Sequence, residues 1–166
     1  DILIYMLALI FKNLDEWLLE QNQEARDLTA PAIPKCEFRI VGQAALLEAK
    51  LDLNFAATVD VDAINNAKYE VLAKLSELLL VQGYELDPLS NEIWMPAETK
   101  YVELYKGKWV TALRAEPEYI MLSKALKSPK KNMQLLRQYL AKRPPKKFFD
   151  MCDVYKVDLA VIVEDQ

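Results

Sequence analysis

The stretch that decides the fold runs Phe38-Arg39-Ile40-Val41-Gly42-Gln43-Ala44-Ala45-Leu46-Leu47 and resumes about a dozen residues later as Thr58-Val59-Asp60-Val61-Asp62-Ala63-Ile64. Phe38 to Val41 is β-rich and stops at a glycine, and the Ala- and Leu-rich residues after it favour helix over strand. Thr58 to Ile64 alternates with period two, so Val59 and Val61 point one way and Asp60 and Asp62 the other. Two aspartates one residue apart on a strand share a face, with Cβ atoms roughly 7 Å apart. Such a pair suits a hard divalent cation, Mg²⁺ or Mn²⁺, that shares its shell with water and substrate phosphates. The free amides where a glycine turn enters a helix attract phosphate. Metal-bridged triphosphate held between the two is a coherent basis for nucleotidyl transfer.

The composition agrees with that chemistry. The chain has 166 residues, 52% of them hydrophobic and 28% charged, which is globular and long enough for a substantial core. It contains no His, so imidazole bases, Ser-His and Cys-His pairs and His-ligated metals are excluded. Catalysis falls to carboxylates, Lys, Tyr or a carboxylate-held metal. There is no GxGxxG or GxxxxGK[ST] motif. Cys36 and Cys152 lack CxxC spacing, which excludes zinc ribbons and redox motifs and reads as two free thiols in a reducing cytoplasm. The apolar start, Ile2 to Phe11, is too short to span a bilayer and lacks the basic region of a signal peptide. The expected location is cytoplasmic, with no membrane partner.

Outward from the deciding stretch, the first 25 residues carry Leu7, Ile10, Phe11, Leu14, Trp17 and Leu18 at helical spacing, and Pro31 and Pro34 close that segment as a loop. A further helix is expected to run to about Gln82, with Val71, Leu72, Leu75, Leu78 and Leu79 in its stripe and Gly83 as its stop. Tyr84–Leu86, Glu92–Met95, Tyr101–Tyr105 and Lys108–Leu113 read as short strands, the last two joined through Lys106-Gly107. Helices follow from Pro117, from Asn132 and from Lys147 to about Tyr155, which reads as the last. The expected class is α/β or α+β: one domain over 1–166, with a lead-in helix and loop (1–35), a mixed sheet core (36–114) and C-terminal helices (115–166).

The order apolar strand, Val41-Gly42-Gln43, then Thr58-Val59-Asp60-Val61-Asp62 resembles the nucleotidyltransferase-like superfamily, in particular bacterial domains related to abortive-infection and toxin–antitoxin nucleotidyltransferases. Pro117-Glu118-Tyr119-Ile120-Met121-Leu122-Ser123-Lys124 is similar to the segment that opens that family's C-terminal helices. The resemblance implies metal binding by Asp60 and Asp62, nucleotide contacts from Gly42, Gln43 and Thr58, and a phosphate contact from Lys124. It also implies an antitoxin-like partner protein. The chain departs from the family pattern in places. Gln43 stands where the family has Gly or Ser, Ala56-Ala57 replaces a basic residue, and Lys131-Asn132-Met133-Gln134 carries no acid. Active relatives bring a third carboxylate from a later strand. Trp109 to Leu113 offers none, which leaves Glu103 as the expected surrogate.

Charge supports a second reading. Lys124 to Lys147 holds nine basic residues and no acid, leaving 12 of the 21 basic residues against all 25 acidic ones elsewhere. A basic segment on an acidic body suits phosphate or nucleic acid. The leading expectation is a Mg²⁺-dependent enzyme moving a nucleoside monophosphate from an NTP to an RNA, protein or small-molecule acceptor. The alternative is a catalytically degenerate module of the same fold that binds nucleic acid or a partner protein through residues 124–147. The strand aromatics Trp94, Tyr101, Tyr105 and Trp109 serve either reading as stacking surfaces or as core. A chain that starts at Asp1 rather than Met also allows a fragment whose partner domain lies outside it.

Overall fold

A computed structural model describes residues 2–49 and 60–164. Among them, α1 (Ile2–Asp27) leads into β1 (Cys36–Val41), α2 (Gln43–Glu48), β2 (Asp60–Asn65), α3 (Tyr69–Val81), β3 (Glu85–Leu86), β4 (Tyr101–Lys106) and β5 (Val110–Ala115). Four helices close the chain: α4 (Pro117–Lys127), α5 (Met133–Ala141), α6 (Lys146–Val154) and α7 (Leu159–Glu164). The strands form one mixed sheet in the order β3-β2-β1-β5-β4. β1 runs antiparallel to β2 and parallel to β5, while β4 and β5 form an antiparallel hairpin. The expected mixed α/β class is the observed one.

The stripe that marks α1 in the sequence is the stripe it buries. Leu7, Ile10, Phe11, Leu14 and Leu18 are all inaccessible, and the Phe11 ring meets Phe38 of β1 with centroids 5.3 Å apart. Each fully buried side chain of this size stabilises the fold by about 1.5–3 kcal/mol. Cys36, Phe38 and Ile40 of β1 and Val61 and Ala63 of β2 complete this face. The alternate residues, Arg39, Asp62 and Ile64, point to the other side of the sheet. The core continues through α2 into α4, where Ile120, Met121 and Leu122 are buried, and on to a Tyr139–Phe148 edge contact at 5.0 Å.

Polar side chains finish what backbone pairing leaves open. The Asn22 amide of α1 donates to the Ile33 carbonyl at 3.0 Å and accepts from the Ile33 amide at 2.7 Å, pinning the loop that enters β1. Buried Asp15 accepts from the amides of Lys108, Trp109 and Val110 and from the Tyr105 hydroxyl, fastening the β4–β5 hairpin to α1. Two expectations need correction. Glu92–Met95 is not a strand: Ser90–Glu92 forms a turn of 3₁₀ helix, and the chain then crosses the sheet as an irregular strap. The amides of Ala63 and Asn65 on β2 are taken by Ser90 Oγ and Asn91 Oδ1, so no strand is needed there. The chain also does not end its helices at α6. Lys156 turns with φ 60°, Asp158 Oδ1 accepts from the Ala160 amide, and α7 buries Ile162.

Candidate functional site

Gly42 closes β1 at φ 76° and ψ −158°, a region open essentially to glycine alone. The reason lies across the sheet. Asp62 sits opposite Val41 on β2, and a Cβ on Gly42 would overlap the Asp62 carboxylate. The glycine of the motif thus makes room for its second aspartate. Gln43 opens α2 and is half-buried. Thr58 lies outside the described residues.

Asp62 does not work with Asp60 alone. β3 pairs parallel to β2, setting Asp60 opposite Glu85 and Val61 opposite Leu86. The Asp87 amide then donates to the Val61 carbonyl at 3.0 Å, which brings the Asp87 side chain into a hydrogen bond with Asp62. Asp87 Oδ1 also accepts from the Leu89 amide at 2.9 Å. Burial, the Asp87 carboxylate and, more weakly, Asp60 push Asp62 up to about 6, against the pull of the Lys124 ammonium. A carboxylate so close to another acid is costly to ionise, which is why the Asp62 carboxyl holds its proton more tightly than a free one.

Asp87 therefore occupies the place expected of Glu103. Glu103 is exposed on β4, at the opposite edge of the sheet order, three strands and about 14 Å from β2. The signal was present in the sequence, since Asp87 directly follows the short run Tyr84–Leu86. Only the pairing of that run beside β2 gives it meaning. Among the described residues, no three Asp, Glu, Cys or His side chains converge as a metal cage. The arrangement offers a divalent cation the Asp62–Asp87 pair, with Asp60 adjacent on the same strand face.

Facing these acids is the C-terminal face of α4. Lys124 is half-buried, and its Nζ donates to Asn132 Oδ1 at 3.3 Å. Asn132 Nδ2 in turn donates to the Ser128 carbonyl and hydroxyl, at 2.9 and 3.0 Å. Burial lowers the Lys124 pKa, helped by Lys131 and opposed by Asp62. Between the two walls lies a cleft of about 490 Å³, lined by Gly42, Asp62 and Asp87 on the sheet side and by Lys124, Lys127 and Lys131 on the helical side. Trp94 of the strap enters it with Lys127 Nζ 5.2 Å above its ring. The strap is held there by the Ser123 hydroxyl donating to the Trp94 carbonyl at 2.6 Å, and by Tyr155, which packs edge-on against Trp94 and donates to Glu98.

The basic segment is divided between this cleft and structural work. Lys147 pairs with Glu118 at 2.6 Å and Glu116 at 3.5 Å, and Arg137 Nε donates to the Ile162 carbonyl. The strand aromatics divide too. Trp94 lines the cleft, Tyr105 is bound to Asp15, and Trp109 is half-buried with its indole N–H enclosed. Cys36 and Cys152 are buried and unpaired, and burial pushes both thiols up to about 11. Among the described residues, no helix is long and apolar enough to cross a membrane. No protein-family model matches the chain, and no characterised protein or solved structure is significantly similar to it.

Proposed function

We propose that the chain is a Mg²⁺-dependent nucleotidyltransferase that moves a nucleoside monophosphate from an NTP to an acceptor hydroxyl, with pyrophosphate leaving. One observation carries this reading. Asp62 and Asp87 meet at a glycine-only turn and face three lysines across a cleft of about 490 Å³. The lysines complement the triphosphate, whose negative charge they neutralise within a partly dry site. Trp94 offers a flat wall to the base. Mg²⁺, held by Asp62 and Asp87, would polarise the α-phosphate and support the charge of the departing pyrophosphate. The acceptor oxygen forms its bond to the α-phosphorus as the bond to the pyrophosphate oxygen breaks. Its proton passes to a carboxylate of the Asp60, Asp62 and Asp87 group. The two unpaired thiols suit a cytoplasmic location, and a toxin–antitoxin role with a partner protein is part of the same proposal.

Isothermal titration of each NTP, with and without Mg²⁺, tests it on the wild type and on Asp62→Ala, Asp87→Ala and Lys124→Ala. The expected result is Mg²⁺-dependent binding lost in both Asp variants and weakened about tenfold or more in Lys124→Ala. Binding that ignores Asp62 and Asp87, or no binding of any NTP, would end this reading. Glu103→Ala should bind like the wild type.

A further inference from the structure

The sheet face that carries Asp62 holds a second cavity, of about 420 Å³, bounded by Arg39, Ile64, Thr99 and Tyr101 and closed on one side by Ile93 and Met95. Ile93 and Met95 also line the first cleft, so these two side chains form the partition between the cavities. Strand register explains the placement. Asp62 and Ile64 face Val41 and Arg39 across the β1–β2 pair, and Arg39 faces Leu113, which faces Glu103, two residues from Tyr101. All of these side chains stand on one face, and Ile64 is one side-chain repeat, roughly 7 Å, from Asp62.

One cation stands among walls that present more polar than apolar surface. The Arg39 guanidinium lies over the Tyr101 ring at 5.1 Å, and its Nε donates to Glu37 Oε2 at 3.0 Å. Its side chain is still 46% exposed. The pair is thus an open cationic and aromatic surface beside a mainly polar cavity. Unstacked bases of single-stranded RNA bind by stacking on aromatic rings and guanidinium planes, and the positive charge attracts the adjoining phosphate. A peptide side chain gains less from such a plane than a base with its own π-face does.

We propose that Arg39 and Tyr101 form the stacking platform for the terminal base of a single-stranded RNA. The platform stands on the geometry of the second cavity alone. That the RNA end is the acceptor of the transfer rests on the function proposed above. Glu37 competes for the guanidinium and tempers the affinity.

Fluorescence anisotropy of 5′-labelled six-nucleotide RNAs, without NTP, tests the platform on the folded protein. Arg39→Lys keeps the charge and removes the plane, and Tyr101→Leu removes its support. Each should weaken binding about tenfold, whereas Glu37→Gln should tighten it. Thermal melts of the exposed Arg39→Lys variant should match the wild type. RNA binding that is absent, or indifferent to both substitutions, overturns the platform, and with NTP binding intact it leaves the transfer reading in place. Free AMP or UMP binding as tightly as the RNA overturns the RNA assignment in favour of a free nucleotide, and nucleotide transfer to a protein instead of RNA overturns the acceptor role. RNA binding through Arg39 with no Mg²⁺-dependent NTP binding upholds the platform while removing the transfer reading.

Discussion

Asp62 carries the sharpest conflict between stability and use. Its pKa stands at about 6, above its ordinary 3.8, because burial and the Asp87 carboxylate disfavour the charged form. The folded state therefore binds this proton more tightly than the unfolded chain does. This group favours folding below about pH 4, and that advantage is lost as pH rises through the window from about 4 to about 6. At 1.36 kcal/mol per unit the whole shift would cost about 3 kcal/mol at pH 7, and solvent screening of this half-buried group reduces that to the order of 1–2 kcal/mol. In metal-free buffer, Asp62→Asn should accordingly be more stable than the wild type at pH 7, with the gap closing near pH 4. Chemical denaturation across that range checks this; a variant less stable than the wild type at pH 7 would show that Asp62 is not strained. The same variant should lose Mg²⁺-dependent nucleotide binding. Asp60 and Asp62 were legible as a pair from period two alone, whereas the third acid depended on which strand lies beside them.

Among the elements, the β4–β5 hairpin depends on a residue far from it in sequence. Asp15 of α1 accepts three backbone amides and one phenol from the hairpin, at 2.7 to 3.3 Å. Burial, reinforced by the Asp15 carboxylate, pushes Tyr105 up to about 12. Removing a buried acceptor leaves each donor with about 1–3 kcal/mol of unmet desolvation. Asp15→Ala should lose about 3 kcal/mol or more, a shift of about 1–2 M in the urea midpoint. Tyr105→Phe, which removes one donor and one bond, should lose about 1 kcal/mol. Equal losses in the two variants would contradict a capping role for Asp15. The hairpin itself was readable from Lys106-Gly107, as were α1, α3 and α4 from their apolar stripes and Pro117. The strap at 92–95 has the composition of a strand, since its Ile and Trp suit a pleated surface. What replaced the strand, side-chain acceptors from Ser90 and Asn91 on β2, is a long-range choice that no local propensity records.

For the molecule as a whole, the two thiols report on how the fold opens. Cys36 sits in β1 under α1, and Cys152 in α6 near the other end of the core, and both are buried with pKa values of about 11. Neither should react with a disulfide reagent in native buffer at pH 8 except through opening, and both should titrate in denaturant. Rapid native labelling of Cys152 alone would mean that α6 detaches independently of the sheet. The sequence by itself determined the class of the fold, most element positions and the exclusion of imidazole chemistry, while only the family resemblance set Lys124 beside Gly42 and Asp62. Periodicity and composition act locally, so one chain suffices to read them. Only the tertiary structure decided that Asp87 rather than Glu103 meets Asp62, that the basic segment gives three lysines to the cleft and others to ion pairs, and that Arg39 stacks on Tyr101. Strand order and helix docking set those distances, and they arise from burial summed over the whole chain rather than from any stretch of it.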